Sequence, residues 1–177
     1  HLAKESARQQ GIVIVEGYMD AIAAHQEGFN NVVASMGTAL TENQVAEIRR
    51  WTNDVTMALD ADVAGQQATL RSLESSWRVL QTQIAGRSRG TTLFQRPEML
   101  NLKIAVMPEG MDPDDLIHRS PDEWTQLIKE GPSYIEYLLK VLPVQLDAST
   151  PQGKAQIVSV VLPSIQAVPE PFQQDHY

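Results

Sequence analysis

Short apolar runs alternate with amphipathic segments over the first two thirds of the chain. Runs rich in β-branched residues occur at 11–16, 30–37, 54–60 and 102–107, and runs of this length and composition are typical of strands covered on both faces. Segments with apolar residues at helical spacing separate them. Because strands that alternate with helices form mostly parallel sheets, the pattern predicts an α/β fold with a mostly parallel four-stranded sheet flanked by helices.

Two of the predicted helices carry clear start signals. Thr41 and Gln44 have the spacing of a capping box, in which each side chain bonds to the other residue's backbone N–H. Ser120 is followed by Pro121 and then by Glu123, an order that fits an N-cap, a first helical position and a capping-box partner. We therefore expect helices to begin at both places.

Three regions depart from the strand–helix rhythm. Residues 1–10 have helical composition but little apolar content and are interpreted as a tail or a truncated helix. Residues 85–98 combine glycine, serine, arginine and proline, which predicts a mobile loop,. No strand is evident after residue 119. We therefore expect one domain over 11–119 and a small all-helical segment over 120–177.

Composition narrows the class of protein. The 177 residues, 42% of them hydrophobic, suit one globular domain with or without an appendage,. No apolar run is long enough for a membrane span, and no signal-peptide pattern opens the chain. The absence of cysteine excludes disulfides and thiolate zinc sites and favours the cytosol,. The net charge of −8, from 14 basic and 22 acidic residues, argues against a basic nucleic-acid-binding face on this chain alone,.

Acidic residues follow three of the four predicted strands. The carboxyl ends of parallel strands share one edge of the sheet, where open α/β folds bind their ligands, so these acids are expected to lie in one crevice. Clustered carboxylates repel one another, and oxygen ligands without cysteine or clustered histidine favour Mg²⁺ or Mn²⁺ over Zn²⁺. The acids expected in this crevice are Glu16, Asp20, Asp60, Asp62, Asp112, Asp114 and Asp115.

Helix capping is the alternative explanation for each acid taken singly. Asp62 has the position of an N-cap, and Asp20 lies where a negative charge stabilises the start of a helix,. Three strand ends with acids in one short domain are harder to explain as caps, so the pattern as a whole favours a metal centre.

Three stretches in register resemble a known family. "VEGYMDAIAAHQEGFNNVVASMGTALTENQ", "ALDADVAGQQA" and "MPEGMDPDDLI" are similar to the TOPRIM domain of bacterial DnaG-type DNA primases, a metal-binding fold shared with topoisomerases. The resemblance covers residues 10–119, and the helical remainder is similar to the segment that follows TOPRIM in the primase core. One departure is Ala61, where the family usually has glycine.

The resemblance implies a role for each acid. Glu16 would bind a metal ion or take the proton of the attacking hydroxyl. Asp60 and Asp62 would be paired metal ligands, with Asp112 and Asp114 completing the set of two or more Mg²⁺ or Mn²⁺ ions. Asp20 would bind a metal or lie beside a ligand. The implied catalytic residues are Glu16, Asp60 and Asp62.

The implied activity is nucleotidyl transfer. In this reaction a 3′-hydroxyl attacks the α-phosphate of an NTP, and pyrophosphate leaves. A primase is a DNA-directed RNA polymerase that uses this reaction to make RNA primers for replication in the bacterial cytoplasm. The implied partners are NTPs and a single-stranded DNA template, together with the replicative helicase and single-strand binding protein of the primosome through regions absent from this chain. Without zinc and basic domains, we expect a fragment that is inactive by itself.

Two other functions fit the same acids. A TOPRIM nuclease or topoisomerase would use them to cut DNA, and a topoisomerase also needs a nucleophilic tyrosine. A non-catalytic module would bind nucleotides such as alarmones in the same crevice. A P-loop motif is missing from the sequence, which argues against a phage-type primase–helicase.

Overall fold

The four expected strands form one parallel sheet. The computed structural model describes residues 2–36, 39–61, 67–87, 100–168 and 171–177. The strands are β1 (Ile12–Val15), β2 (Val32–Ala34), β3 (Asp54–Leu59) and β4 (Asn101–Val106). They lie in the order β2-β1-β3-β4, and each neighbouring pair runs parallel. The sheet prediction is confirmed.

Nine helices occur in the described parts of the chain. They are α1 (Lys4–Gln10), α2 (Tyr18–Gln26), α3 (Glu42–Ile48), α4 (Gln67–Arg87), α5 (Pro113–Arg119), α6 (Pro121–Glu130), α7 (Tyr134–Gln145), α8 (Pro151–Gln166) and α9 (Pro171–His176). Helices α5 and α9 were not predicted. Helix α4 continues through Arg87, so residues 85–87 of the expected loop are helical, and the rest of that loop lies outside the described residues. None of the helices described is long and apolar enough to cross a membrane.

The chain divides into two compact units after Gly131. The first is His1–Gly131 and the second is Pro132–Tyr177, whereas the sequence suggested a boundary near residue 119. Helix α6 accounts for the difference, because Trp124 is 2% exposed and belongs to the core of the first unit. Its ring meets that of Phe29 edge-on, with centroids 6.2 Å apart. An amphipathic helix must bury its apolar face, and α6 does so in the first unit.

The first unit has a core centred on the sheet. All four residues of β1 are buried, as expected for a parallel strand covered on both faces. Leu116 and Ile117 bring the apolar side of α5 into the same core. The core cluster consists of Val13, Val15, Ala24, Val32, Ala58, Ala105, Met107, Leu116, Ile117 and Trp124.

The second unit consists of helices α7, α8 and α9. Helix α7 buries Tyr134, Ile135, Tyr137, Leu138 and Leu142, and it contacts α8. Burial raises the pKa of the Tyr137 hydroxyl to about 12. The apolar side of α7 therefore forms the centre of this unit.

The two predicted helix starts differ in their chemistry. At α3 the Thr41 N–H donates to Gln44 Oε1 at 2.8 Å, and the Gln44 N–H donates to Thr41 Oγ1 at 3.3 Å, so the capping box is confirmed. Helix α6 does begin after Ser120, but the Ser120 side chain makes no capping bond. Ser120 also ends α5 by donating its N–H to Leu116. Its ψ of 84° differs from the 158° of Thr41, so the expected capping box at Ser120 is wrong.

Candidate metal centre

Two acidic residues follow adjacent strands of the sheet. Glu16 comes directly after β1 and Asp60 directly after β3, and these strands pair in parallel. Both side chains are half-buried. The carboxyl edge of the sheet therefore carries acids from its two central strands, as the sequence predicted.

Asp20 lies close to acids from two other segments. Its Oδ2 accepts a hydrogen bond from the Gly17 N–H at 3.1 Å. Burial raises the pKa of the Asp20 carboxyl. The bond from Gly17 opposes that rise, and the negative charges of Asp112 and Asp60 add to it. Asp60 and Asp112 thus both lie within electrostatic reach of Asp20.

Asp112 is the N-cap of helix α5. Its Oδ1 accepts a hydrogen bond from the Asp115 N–H at 2.7 Å, and Pro113 occupies the first turn. The negative charges of Asp114 and Asp115 lie in that turn, where they interact favourably with the helix dipole. The capping explanation therefore holds for Asp112, although its carboxylate keeps a second oxygen that can bind a cation.

Asp114 is paired with a histidine that the sequence analysis did not single out. His118 Nδ1 lies 2.6 Å from Asp114 Oδ1 and 3.0 Å from the Asp114 carbonyl oxygen. The carbonyl of Asp114 raises the pKa of His118, and its carboxylate adds to that rise. The i, i+4 spacing of the two residues on a helix was the available signal.

Part of the predicted site falls outside the structure's described ranges. Asp62 is among those positions. Within the described ranges, no group of three or more histidine or acidic side chains has the geometry to hold a metal ion. The full ligand set therefore stays a prediction, and the structure brings together only part of it.

The chemistry of the described acids fits a hard divalent cation. Every candidate donor is a carboxylate oxygen, the ligand that Mg²⁺ and Mn²⁺ prefer. Burial raises the pKa of Asp20, the charges of Asp112 and Asp60 add to that rise, and a bound cation would relieve the repulsion between these charges.

An open cleft of the described residues lies at the other edge of the sheet. It has a volume of about 660 Å³ and is lined by residues that include Gly11, Asp54 and Asn101. These three residues begin or precede strands, whereas the acids follow them. The cleft is therefore separate from the acidic centre.

Two protein families match this chain. The Toprim domain family matches residues 10–85, which include β1, β3 and the acids that follow them. The DnaB-helicase binding domain of primase matches residues 135–177, which lie in the second unit, so the expectation that the helicase-contacting region is absent from this chain is wrong. The two matches thus fall one in each compact unit.

Relatives and solved structures that resemble this chain are DNA primases. The DNA primase of Clostridium acetobutylicum is 32% identical over 94% of this chain and 25% of its own length. The Escherichia coli primase catalytic core has a TM-score of 0.70 at 29% identity, over 99% of this chain and 53% of that chain. A DnaG primase catalytic domain bound to single-stranded DNA has a TM-score of 0.69 at 29% identity, over 99% of this chain and 55% of that chain.

The similarity covers only part of the length of each of these primases. The chain spans about a quarter of the length of the curated primase it matches and about half of the solved catalytic cores. Within that length the fold and the two matched domain families agree with primases. The chain is therefore similar to part of the DnaG-type DNA primases, with a match to the Toprim domain and a match to the DnaB-helicase binding domain of primase.

Proposed function

We propose that this chain supplies the metal-binding and NTP-phosphate-binding half of a primase active site. The observation that carries the proposal is that Glu16 and Asp60 directly follow two paired parallel strands within the segment that matches the Toprim family. The activity is the synthesis of short RNA primers on a DNA template. Its place is the bacterial cytoplasm, where primases act in replication.

The proposed metal ligands belong to segments that follow different strands at the carboxyl edge of the sheet. Asp60, Asp62, Asp112 and Asp114 would hold two or more Mg²⁺ or Mn²⁺ ions, with Glu16 beside them. When bound, these ions supply the positive charge that stabilises the attacking and leaving oxygens of phosphoryl transfer. Carboxylates alone would repel a triphosphate, so the affinity of this edge for NTPs depends on the ions.

Glu16 is proposed to handle the proton of the attacking hydroxyl. It follows the buried strand β1 directly, so its backbone is fixed by the sheet. Its half-buried carboxylate can accept a proton from a 3′-hydroxyl held at the same edge. The other acids are then left to bind metal ions.

The proposed partners divide between the two units. The first unit would meet NTPs and the primer end, and residues 135–177 would meet the replicative helicase, since they match a helicase-binding domain of primase. The net charge of −8 means that the single-stranded template needs a basic surface supplied elsewhere in the enzyme. Single-strand binding protein would act through such further regions as well.

Calorimetric titration with Mn²⁺ tests the metal site. We expect binding in the micromolar-to-millimolar range that is lost when Asp60→Asn and Asp62→Asn are combined. The matched control is Asp54→Asn, at the opposite end of β3, which should leave Mn²⁺ binding unchanged. Wild-type binding that the double variant retains would contradict the proposed site.

A chimaera tests the activity. The matching segment of Escherichia coli primase would be replaced by this chain and supplied with NTPs, Mg²⁺ and a single-stranded template. We expect primers that disappear with Asp60→Asn and Asp62→Asn. Primers made by this chain alone would contradict the proposal that it holds only half of the site.

A further inference from the structure

We propose that the open cleft at the amino edge of the sheet, where the strands begin, is a binding site for a small organic anion with an apolar or ring-shaped part. Its volume of about 660 Å³ lies within the range of roughly 300–1,000 Å³ that is usual for small-molecule sites. The residues that line it all belong to the first unit. Because the cleft is separate from the acids that follow the strands, this proposal is independent of the proposed metal centre.

The floor of the cleft is a row of three residues on neighbouring strands. Val13 of β1 is paired with Thr56 of β3, and Thr56 is paired with Lys103 of β4. Residues paired in this way lie on the same face of a sheet, and all three line the cleft. The row therefore places a hydroxyl-bearing and an ammonium-bearing side chain next to each other on one face.

The two polar residues interrupt a face that is otherwise apolar. Ala58 lies two residues after Thr56, and Ala105 lies two residues after Lys103, so both alanines share that face and both belong to the core cluster. Strands of a parallel sheet that is covered on both faces are normally apolar throughout. Core packing explains the alanines but not Thr56 and Lys103, and a polar ligand in the cleft does explain them.

The ammonium of Lys103 is held in place by the end of helix α6. Its Nζ donates a hydrogen bond to the carbonyl oxygen of Lys129 at 2.8 Å, in the last turn of that helix. Lysine side chains commonly bond to the last carbonyls of a helix. Because an ammonium has three N–H donors, this bond fixes the position of the group and leaves it able to donate to an anion as well.

The charges around the cleft favour an anion. Arg8, Lys103 and Lys129 line it together with Asp54, whereas the chain as a whole has 14 basic and 22 acidic residues. Arg8 also lies 3.7 Å from Glu5, but both side chains are exposed, and exposed pairs of this kind are weak. A lining that is mostly basic attracts anions, so the cleft differs in sign from the rest of this acidic chain.

One wall of the cleft is apolar. Phe29 and Ile128 are half-buried and pack against the core cluster, and the ring of Phe29 meets that of Trp124 edge-on. All three residues line the cleft. Such a wall can bury the ring or hydrocarbon part of a ligand, whereas an inorganic ion would leave it uncovered.

NMR titration of the isotope-labelled chain in EDTA tests the site. EDTA removes divalent ions, and the carboxylates at the opposite edge of the sheet then repel anions, so binding at the cleft is observed separately. The probes are phenyl phosphate and benzoate, which carry the two common anionic groups on the same ring, with inorganic phosphate and phenol for comparison. We expect saturable shifts at Gly11, Thr56 and Lys103, and affinity for the better ring anion at least about threefold above that for inorganic phosphate or phenol. The better of the two ring anions shows whether the site prefers a phosphate or a carboxylate.

Substitutions in the cleft test the role of each side chain. Lys103→Met should weaken binding by about tenfold, as expected for a lost hydrogen bond to a charged group, and Lys103→Arg should retain most of the affinity. Thr56→Val keeps the shape of the side chain and should weaken binding by about threefold. Asp54→Asn should strengthen binding by about twofold, because it removes a negative charge from the lining. Lys140→Met, at an exposed lysine of the second unit, is the matched control and should have no effect.

The absence of saturable shifts with both ring anions would overturn the proposal. So would a folded Lys103→Met variant that binds as tightly as wild type, or affinity for inorganic phosphate equal to that for the ring anions. If Lys103→Met does not fold, unchanged affinity in both Thr56→Val and Asp54→Asn would overturn it instead. The Mn²⁺ titration decides the metal centre separately, so either proposal can fail without the other.

Discussion

The backbone of Gly17 and the carboxylate of Asp20 fit together without room for a side chain between them. Oδ2 accepts the Gly17 N–H at 3.1 Å, and a Cβ on residue 17 would lie only 2.8 Å from the same oxygen. The position of the carboxylate therefore depends on the glycine. Because Asp112 and Asp60 act on the charge of Asp20, moving it changes the electrostatics of the whole acidic edge.

Gly17→Ala should weaken Mn²⁺ binding by about tenfold, because the new methyl displaces the carboxylate of Asp20, one of the candidate metal ligands,. The measurement is calorimetry on the single variants and on Gly17→Ala combined with Asp20→Ala. In the Asp20→Ala background the glycine substitution should have little further effect, since the displaced group is already gone. Losses that simply add in the double variant would show that the two residues act independently.

Trp124→Ala should destabilise the first unit by about 3–5 kcal/mol, the usual cost of removing a large aromatic side chain from a core. Trp124 is 2% exposed and packs edge-on against Phe29. Urea denaturation followed by circular dichroism measures the loss, with the half-buried Trp51 substituted by alanine as the milder control. Hydrogen exchange should locate the change in β1 and β3. An equal change in α7 would argue against α6 belonging to the first unit.

The sheet and the acids at its edge were predictable because both are encoded locally. A run such as Ile12–Val15 is buried along its whole length, so its apolar pattern is unbroken. Thr41 and Gln44 form their box across three residues, and local sequence contains all of that signal.

The placement of α5 and α6 was not predictable in the same way. Helix α5 has only seven residues, too few for a helical period to stand out, and its N-cap Asp112 was interpreted chiefly as a metal ligand. Asp112 caps α5 whether or not it also binds a metal ion. The packing of Trp124 against Phe29 joins residues far apart in sequence, and no local pattern indicates it.

The surroundings of Asp20 show the same limit. Its bond from the Gly17 N–H spans three residues and was within reach of the sequence, since an acid at the third helical position commonly bonds back to the N-cap. The packing of α2 against α5 joins segments far apart in sequence, and only the folded chain defines it.

Thr41→Ala should cost about 1 kcal/mol of stability, the typical value for removing an N-cap side chain. Thr41 Oγ1 accepts the Gln44 N–H, which loses its partner in the variant. Urea denaturation of the whole chain measures the loss. The control is Thr125→Ala, because Thr125 Oγ1 only bonds back to the Pro121 carbonyl within α6. A smaller loss for Thr41→Ala than for the control would contradict the importance of this cap.

The capping box of α7 should make the second unit's stability depend on pH. The Ser133 N–H donates to Glu136 Oε2 at 2.7 Å, and the Glu136 N–H donates to Ser133 Oγ at 3.3 Å. Hydrogen bonding from Ser133, first from its side chain and then from its backbone, lowers the pKa of Glu136 below its ordinary 4.5. The folded chain therefore binds this proton more weakly than the unfolded chain does. The resulting stabilisation is complete above pH 4.5 and is lost as the pH falls through the lower folded value.

Glu136→Gln removes that pH-dependent contribution. At pH 7 the variant should be less stable than wild type by about 0.5 kcal/mol, a small value because the carboxylate is exposed and solvent screens it. The difference should shrink as the pH is lowered from 5 to 3, because wild-type Glu136 then becomes neutral as well. Thermal unfolding of both chains across this range, followed by the circular dichroism of the helices, measures it. A difference that stays constant with pH would mean that Glu136 stabilises α7 through its shape and hydrogen bonding alone, without its charge.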